Sequence, residues 1–295
     1  MSRTAAVSLR LAGCHYWTAS LLPALVGTTL PFWLRPSGFS FRWLAAVEFL
    51  IATVVLHIGF SFLLASVRER QVSGWPRSRL LGMGGACLVA GCLLGLHLNS
   101  RLTLHRSVPE SIFVVYGACA LFTGVLYVAQ PFSFWRRAGG EVVLGAGLGL
   151  LPLLGAYLIQ AGDITRRVYL ASAPLVVVTV LWVWIEELIT RGDDERAGRQ
   201  TMVVLFGPRV SGRLVVPALA VLFYGSLGGA VATSSLSPVT LVLLLSLGLA
   251  WRIVAVCWSG YAGSPGLLEA RRKAFALHLT TSIVLATSPL VVLGR

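Results

Sequence analysis

The chain reads as a succession of apolar runs broken by short polar segments. The runs lie near 16–34, 43–66, 80–98, 111–130, 140–160, 167–189, 214–233, 237–257 and 274–293. Each is close to the ~20 residues that a helix needs to cross the hydrocarbon core of a bilayer. Runs such as Ala173–Val183 do not alternate as a barrel strand would. An open sheet edge cannot satisfy its backbone in lipid, so the runs are expected to be helices. The pattern predicts an all-α integral membrane protein, a bundle of nine transmembrane helices forming one polytopic domain over 1–295. The first run is long and followed by further spans, so it is read as a span rather than a signal peptide.

The polar segments carry a directional signal. With nine spans, 17 of the 24 lysines and arginines fall on the side of the N-terminus, and seven on the other. The positive-inside rule then predicts a cytoplasmic N-terminus and an external C-terminus, in a membrane expected to be the bacterial inner (cell) membrane. Two cytoplasmic segments, 67–79 and 190–213, are expected to be long hydrophilic loops. The second, with the end of the span before it, carries the acidic cluster Glu186, Glu187, Asp193, Asp194 and Glu195.

Composition supports this picture. The chain is 56% hydrophobic and 12% charged, with a mean hydropathy of +0.82. A soluble domain carries roughly a quarter charged residues, so too little polar surface is left to face water. The net charge of +13 belongs to the loops and does not form a nucleic-acid face, so no nucleic-acid partner is expected. The five cysteines match no zinc or redox spacing and read as small core residues. Gly91 with Gly95, and Gly145 with Gly149, have the spacing that lets helix backbones approach closely. Glu48, His57, Gln160 and His278 lie in or near spans and could line a polar path, which keeps a small-molecule transporter open as a reading. No inverted repeat supports transport.

Three stretches resemble the UbiA superfamily of intramembrane prenyltransferases, in its dihydroxynaphthoate (menaquinone) branch. Glu141–Gly162 looks like the family's fifth helix, and Ala19–Leu30 is similar to its first. Asp194–Gly207 resembles the region after the second aspartate-rich motif, with its D-x-x-A-G-(K/R)-x-T pattern. The resemblance implies a nine-helix bundle that moves a polyprenyl group from its diphosphate to an aromatic or other lipid acceptor, in contact with membrane lipid. It also implies two aspartate-rich loops holding Mg²⁺, which neutralises the leaving diphosphate.

The sequence departs from the family at the first motif, N-x-x-x-D-x-x-x-D. Aligning Leu56–Gly59 with the family's second helix puts Ser61, Leu64, Ala65 and Arg68 where Asn and Asp are expected. Glu69 is out of register by one. At the second motif, the Ala197–Arg199 anchor puts Glu186 and Glu187 at the Asn pair, Thr190 on the first aspartate and Asp194 on the last. Two readings follow. In the preferred one the enzyme is active but divergent. Glu187 and Asp194 are then catalytic and bind the metal, with Asp193 as a further ligand, and Arg68, Arg70 and Arg199 grip the diphosphate, since arginine matches phosphate bidentately. In the other, the protein kept the fold and lost the reaction, and binds an isoprenoid or quinone or supports another membrane enzyme.

Overall fold

Every apolar run contains a helix among the described residues, as lipid demands. The computed structural model describes residues 17–36, 39–67, 75–103, 110–259 and 265–291. In chain order the helices are α1 (Trp17–Thr29), α2 (Trp43–Val67), α3 (Arg77–Thr103), α4 (Glu110–Val128), α5 (Gly140–Ala161), α6 (Arg166–Arg196), α7 (Met202–Ala232), α8 (Pro238–Ser259) and α9 (Pro265–Val291). Seven are long and apolar enough to cross a membrane: α2, α3 and α5 to α9. The first and fourth runs give shorter helices, α1 and α4, so the structure supports the all-helical class without fixing the count of crossings.

One expectation is overturned. The segment 190–213 is not a long loop. Helix α6 continues to Arg196, and α7 begins at Met202. Polar residues persist in the helix because they pair along it: Arg191 with Glu195 at i,i+4 and Arg196 with Asp193 at i,i+3.

Three helices are irregular, each beside glycine or proline. α5 widens into a π segment at Gly145–Leu150 just before Pro152. α7 breaks at Gly207, whose φ of 71° is left-handed, immediately before Pro208. α8 opens as a 3₁₀ helix over Pro238–Ser246. In α5 and α7 the proline withholds a backbone donor and displaces the preceding turn, which accounts for the local rewinding.

The bundle has two unequal halves. α1 and α5 to α9 share a continuous core that includes Leu30, Leu153, Tyr157, Leu175, Phe223, Leu243 and Leu277. α2, α3 and α4 stand against it as a looser wall, with α2 packed chiefly on α3. Large apolar side chains such as Trp43, Val221, Leu245 and Trp251 face outward, an arrangement suited to lipid rather than water.

The small residues divide in function. Gly145 and Gly149 both meet Val176–Val180 of α6, and Gly91 meets Leu56 of α2. Gly95 touches nothing within 4 Å and lines a cavity instead. The tightest approach is one the spacing did not flag: a Cβ on Gly27 of α1 would overlap the Leu153 backbone of α5. Gln160 is also structural, because its side chain bonds both backbone N and O of Arg42 at 3.0 and 3.2 Å. We expect Gly27→Ala to lower stability by about 2 kcal/mol through overpacking, read as a lower melting temperature in detergent. Gly95→Ala should melt like the parent.

Candidate active site

Helices α1 to α6 enclose a cavity of about 1110 Å³. Its walls are mostly apolar, with Phe49, Leu56, Phe60, Leu64, Phe113, Leu148 and Trp182 among them. One end is charged. There the last turns of α6 bring Glu186, Glu187, Thr190, Asp193, Asp194 and Arg196 to the lining, and the following turn adds Arg199 and Thr201. A second polar spot lies along the wall, where His57 Nδ1 is 3.0 Å from Ser20 Oγ.

The charged end is organised by a turn. After α6, Gly198 adopts a φ of +68°, a conformation glycine enters without the Cβ penalty. The chain reverses, and the Arg199 guanidinium returns to Asp194 at 2.6 Å. Thr190 donates to the other Asp194 oxygen at 3.0 Å. Asp194 is only 4% exposed, so these partners offset its desolvation. Arg199 also lies over the Trp135 ring at 4.8 Å. Gln200 N donates to Arg136 O at 2.8 Å, tying the turn to the segment before α5. Thr201 then caps α7, accepting from Val204 N at 3.3 Å. The D-x-x-A-G-R-x-T pattern is thus largely a folding device.

The expected site residues can now be placed. Glu187, Asp193, Asp194 and Arg199 converge at the charged end. Asp193 pairs with Arg196 at 2.6 Å, and Asp194 and Arg199 pair with each other. Glu186 faces Arg271 of α9 at 3.7 Å. Ser61 and Leu64, at first-motif positions, do line the cavity. Arg68 and Arg70, expected to grip diphosphate, lie outside the described residues.

Sequence reasoning missed Glu141, at the start of α5. It is 0% exposed. Its Oε1 accepts from Met202 N at 2.8 Å, and its carboxylate lies beside that of Glu187, with Thr201 close by. The available signal was a lone carboxylate at the head of an apolar run, which is costly in a membrane and needs a reason.

Comparison with known proteins identifies the scaffold. Residues 70–265 match the UbiA prenyltransferase family, more than half of the chain. The chain belongs to this family. A 1,4-dihydroxy-2-naphthoate octaprenyltransferase of Bacillus subtilis is 25% identical over 250 residues, covering 79% of this chain and 76% of that protein. An apo UbiA homologue from Aeropyrum pernix shares the fold, with a TM-score of 0.68 at 16% identity over 95% of this chain and 98% of its own. So does an Archaeoglobus fulgidus homologue solved with GPP and Mg²⁺, with a TM-score of 0.60 at 17% identity over 95% and 99%.

Whether Mg²⁺ fits is decided by the donors. Among the described residues no three Asp, Glu, His or Cys side chains gather to hold a metal by protein ligands alone. Ser61, Leu64 and Ala65 offer no carboxylate from α2. On the α6 side, Glu187 keeps one buried oxygen, Oε2, without a hydrogen-bond partner. Magnesium commonly uses one or two carboxylates and completes its shell with phosphate oxygens and water. The residues therefore fit an ion bound on one side of the site, not a two-sided clamp.

Arg199→Ala would leave Asp194 buried with its charge uncompensated. We expect a loss of about 2 kcal/mol, below the ~3–5 of a fully enclosed pair because Arg199 keeps some solvent contact. The double variant Asp194→Asn/Arg199→Ala should lose less than the two single losses summed. Thermal unfolding of all three in detergent checks this.

Proposed function

We propose that this chain moves a polyprenyl group from its diphosphate to an aromatic or other lipid acceptor, as a divergent enzyme of quinone or isoprenoid-lipid biosynthesis. The observation that carries the reading is one long apolar cavity closed at one end by carboxylates and arginines. Its volume of about 1110 Å³ exceeds the ~300–1,000 Å³ of ordinary small-molecule sites, so a donor and an acceptor fit together. The family match and the octaprenyltransferase relative support the same class of reaction.

In this reaction the bond between allylic C1 and the diphosphate oxygen breaks. A bond forms between C1 and the acceptor, and the acceptor releases a proton. The isoprenoid tail lies along the α2, α3 and α4 wall, where Phe60, Leu56 and Leu96 exclude water from the allylic cation. The diphosphate lies at the charged end, where Arg199 is available to it and Arg68 and Arg70 are further candidates. Bound Mg²⁺ supplies charge neutralisation for the leaving group, and Glu187 would hold it. Asp194 fixes Arg199 in place for this work. By the arginine distribution the charged end faces the cytoplasm of a bacterial cell membrane.

Ser61 and Leu64 line the cavity at first-motif positions without a carboxylate. That favours a second reading, in which the protein binds an isoprenoid or quinone without transferring it. Membranes incubated with labelled geranylgeranyl diphosphate, candidate aromatic acceptors and Mg²⁺ should release diphosphate. Binding without release under every condition would establish the second reading. Gly95→Phe, which intrudes on the cavity, should raise KM for long donors by about 10-fold or more and spare dimethylallyl diphosphate.

A further inference from the structure

Four carboxylates reach the cavity's charged end from α6, and three are matched by arginine. Glu186 has Arg271, Asp193 has Arg196, and Asp194 has Arg199. Glu187 has none among the described residues; its neighbour is another carboxylate, Glu141. Each of the two retains a buried Oε2 with no hydrogen-bond partner. Two carboxylates side by side away from water repel unless a proton or a cation lies between them.

Glu141 is also held in place. It is fully buried, and Met202 N–H fixes its Oε1, leaving Oε2 as the oxygen free to bind. Met202 opens α7 directly after Thr201, so the turn that seats Arg199 on Asp194 also orients Glu141. Glu187 lines the cavity and presents the pair to whatever enters.

We propose that Glu141 and Glu187 together hold one divalent cation, with Glu141 as the ligand that the aspartate-rich motifs do not name. Two carboxylates leave most of a magnesium shell open to water and to diphosphate oxygens, a usual way for this ion to bind. The site needs nothing from α2, so the missing first-motif carboxylates do not preclude it. The use of the ion rests on the prenyl-transfer reading; its binding does not.

The test is a titration of the purified full chain in detergent with Mn²⁺, following the free-ion electron paramagnetic resonance signal, with and without inorganic diphosphate. One Mn²⁺ per chain should bind, be displaced by Mg²⁺, and tighten with diphosphate. Glu141→Gln keeps the acceptor for Met202 N and should weaken binding by about 10-fold or more, since even second-layer partners of a metal are worth about 10–100-fold. Glu141→Gln/Glu187→Gln should abolish it, with unchanged helical circular dichroism. Asp194→Asn should retain it. Absence of a bound ion in the parent, or equal affinity in Glu141→Gln, overturns the proposal and leaves the pair sharing a proton. Diphosphate release that persists in the double variant would overturn the ion's use while sparing the transferase reading. Mn²⁺ binding without any release would do the reverse.

Discussion

The charged end of the cavity depends on the contact between Asp194 and Arg199. A buried aspartate at the end of a membrane helix is tolerable only when its charge is met, and Arg199 meets it at 2.6 Å. To reach it the chain must reverse within a few residues, which Gly198 permits with its left-handed φ. The reversal carries Trp135 under the guanidinium and ties Gln200 to the segment before α5. It also starts α7 with the amide that orients Glu141. The turn that this ion pair closes thus joins the end of α6 to the segment before α5 and to the start of α7.

The architecture separates what must be rigid from what must yield. α1 and α5 to α9 form a continuous core, and the acidic residues project from its most enclosed member, α6. The opposite wall, α2 to α4, packs mainly within itself and lines the apolar length of the cavity. An isoprenoid tail asks only for apolar surface of sufficient extent, and such a wall can change sequence while still providing it. The charged end cannot drift so freely, because each buried carboxylate needs a partner. On the yielding wall, Ser61 and Leu64 line the cavity without a carboxylate. The rigid side carries the turn built from Asp194, Gly198, Arg199 and Thr201.

The legibility of the sequence follows the same lines. Apolar runs identified the helices because lipid imposes one solution on the backbone, whatever the side chains. Lengths were less legible. The polar end of α6 looked like loop, since hydropathy does not register the i,i+3 and i,i+4 pairs that keep Asp193, Glu195 and Arg196 helical. The glycine spacing correctly marked Gly145 and Gly149 as packing residues. It misjudged Gly95, because the spacing does not say whether a helix face meets a neighbour or a cavity. Glu187, Asp194 and Arg199 were legible through the motif they resemble. That Asp194 and Arg199 bind each other was not, since the motif records which residues recur and not which ones touch. Glu141 was hidden for a different reason: its partner is 46 positions away on another helix, and no local pattern joins them.

The Glu141–Glu187 pair bears on how such a site can change its chemistry without losing it. A neutral residue at position 187, the type expected there by resemblance, would leave Glu141 with Met202 N–H and no charged neighbour. Glutamate at 187 places a second buried carboxylate beside the first, a juxtaposition relieved by a shared proton or, as proposed above, by a cation. The carboxylates described at the charged end, Glu141 on α5 and Glu186, Glu187, Asp193 and Asp194 on α6, stand on the rigid side. A diphosphate drawn to a cation held there would lie at the charged end of the cavity with its tail along the apolar wall. In the proposed reaction the apolar wall would position the tail and the charged end the head, and the two are built on different helices.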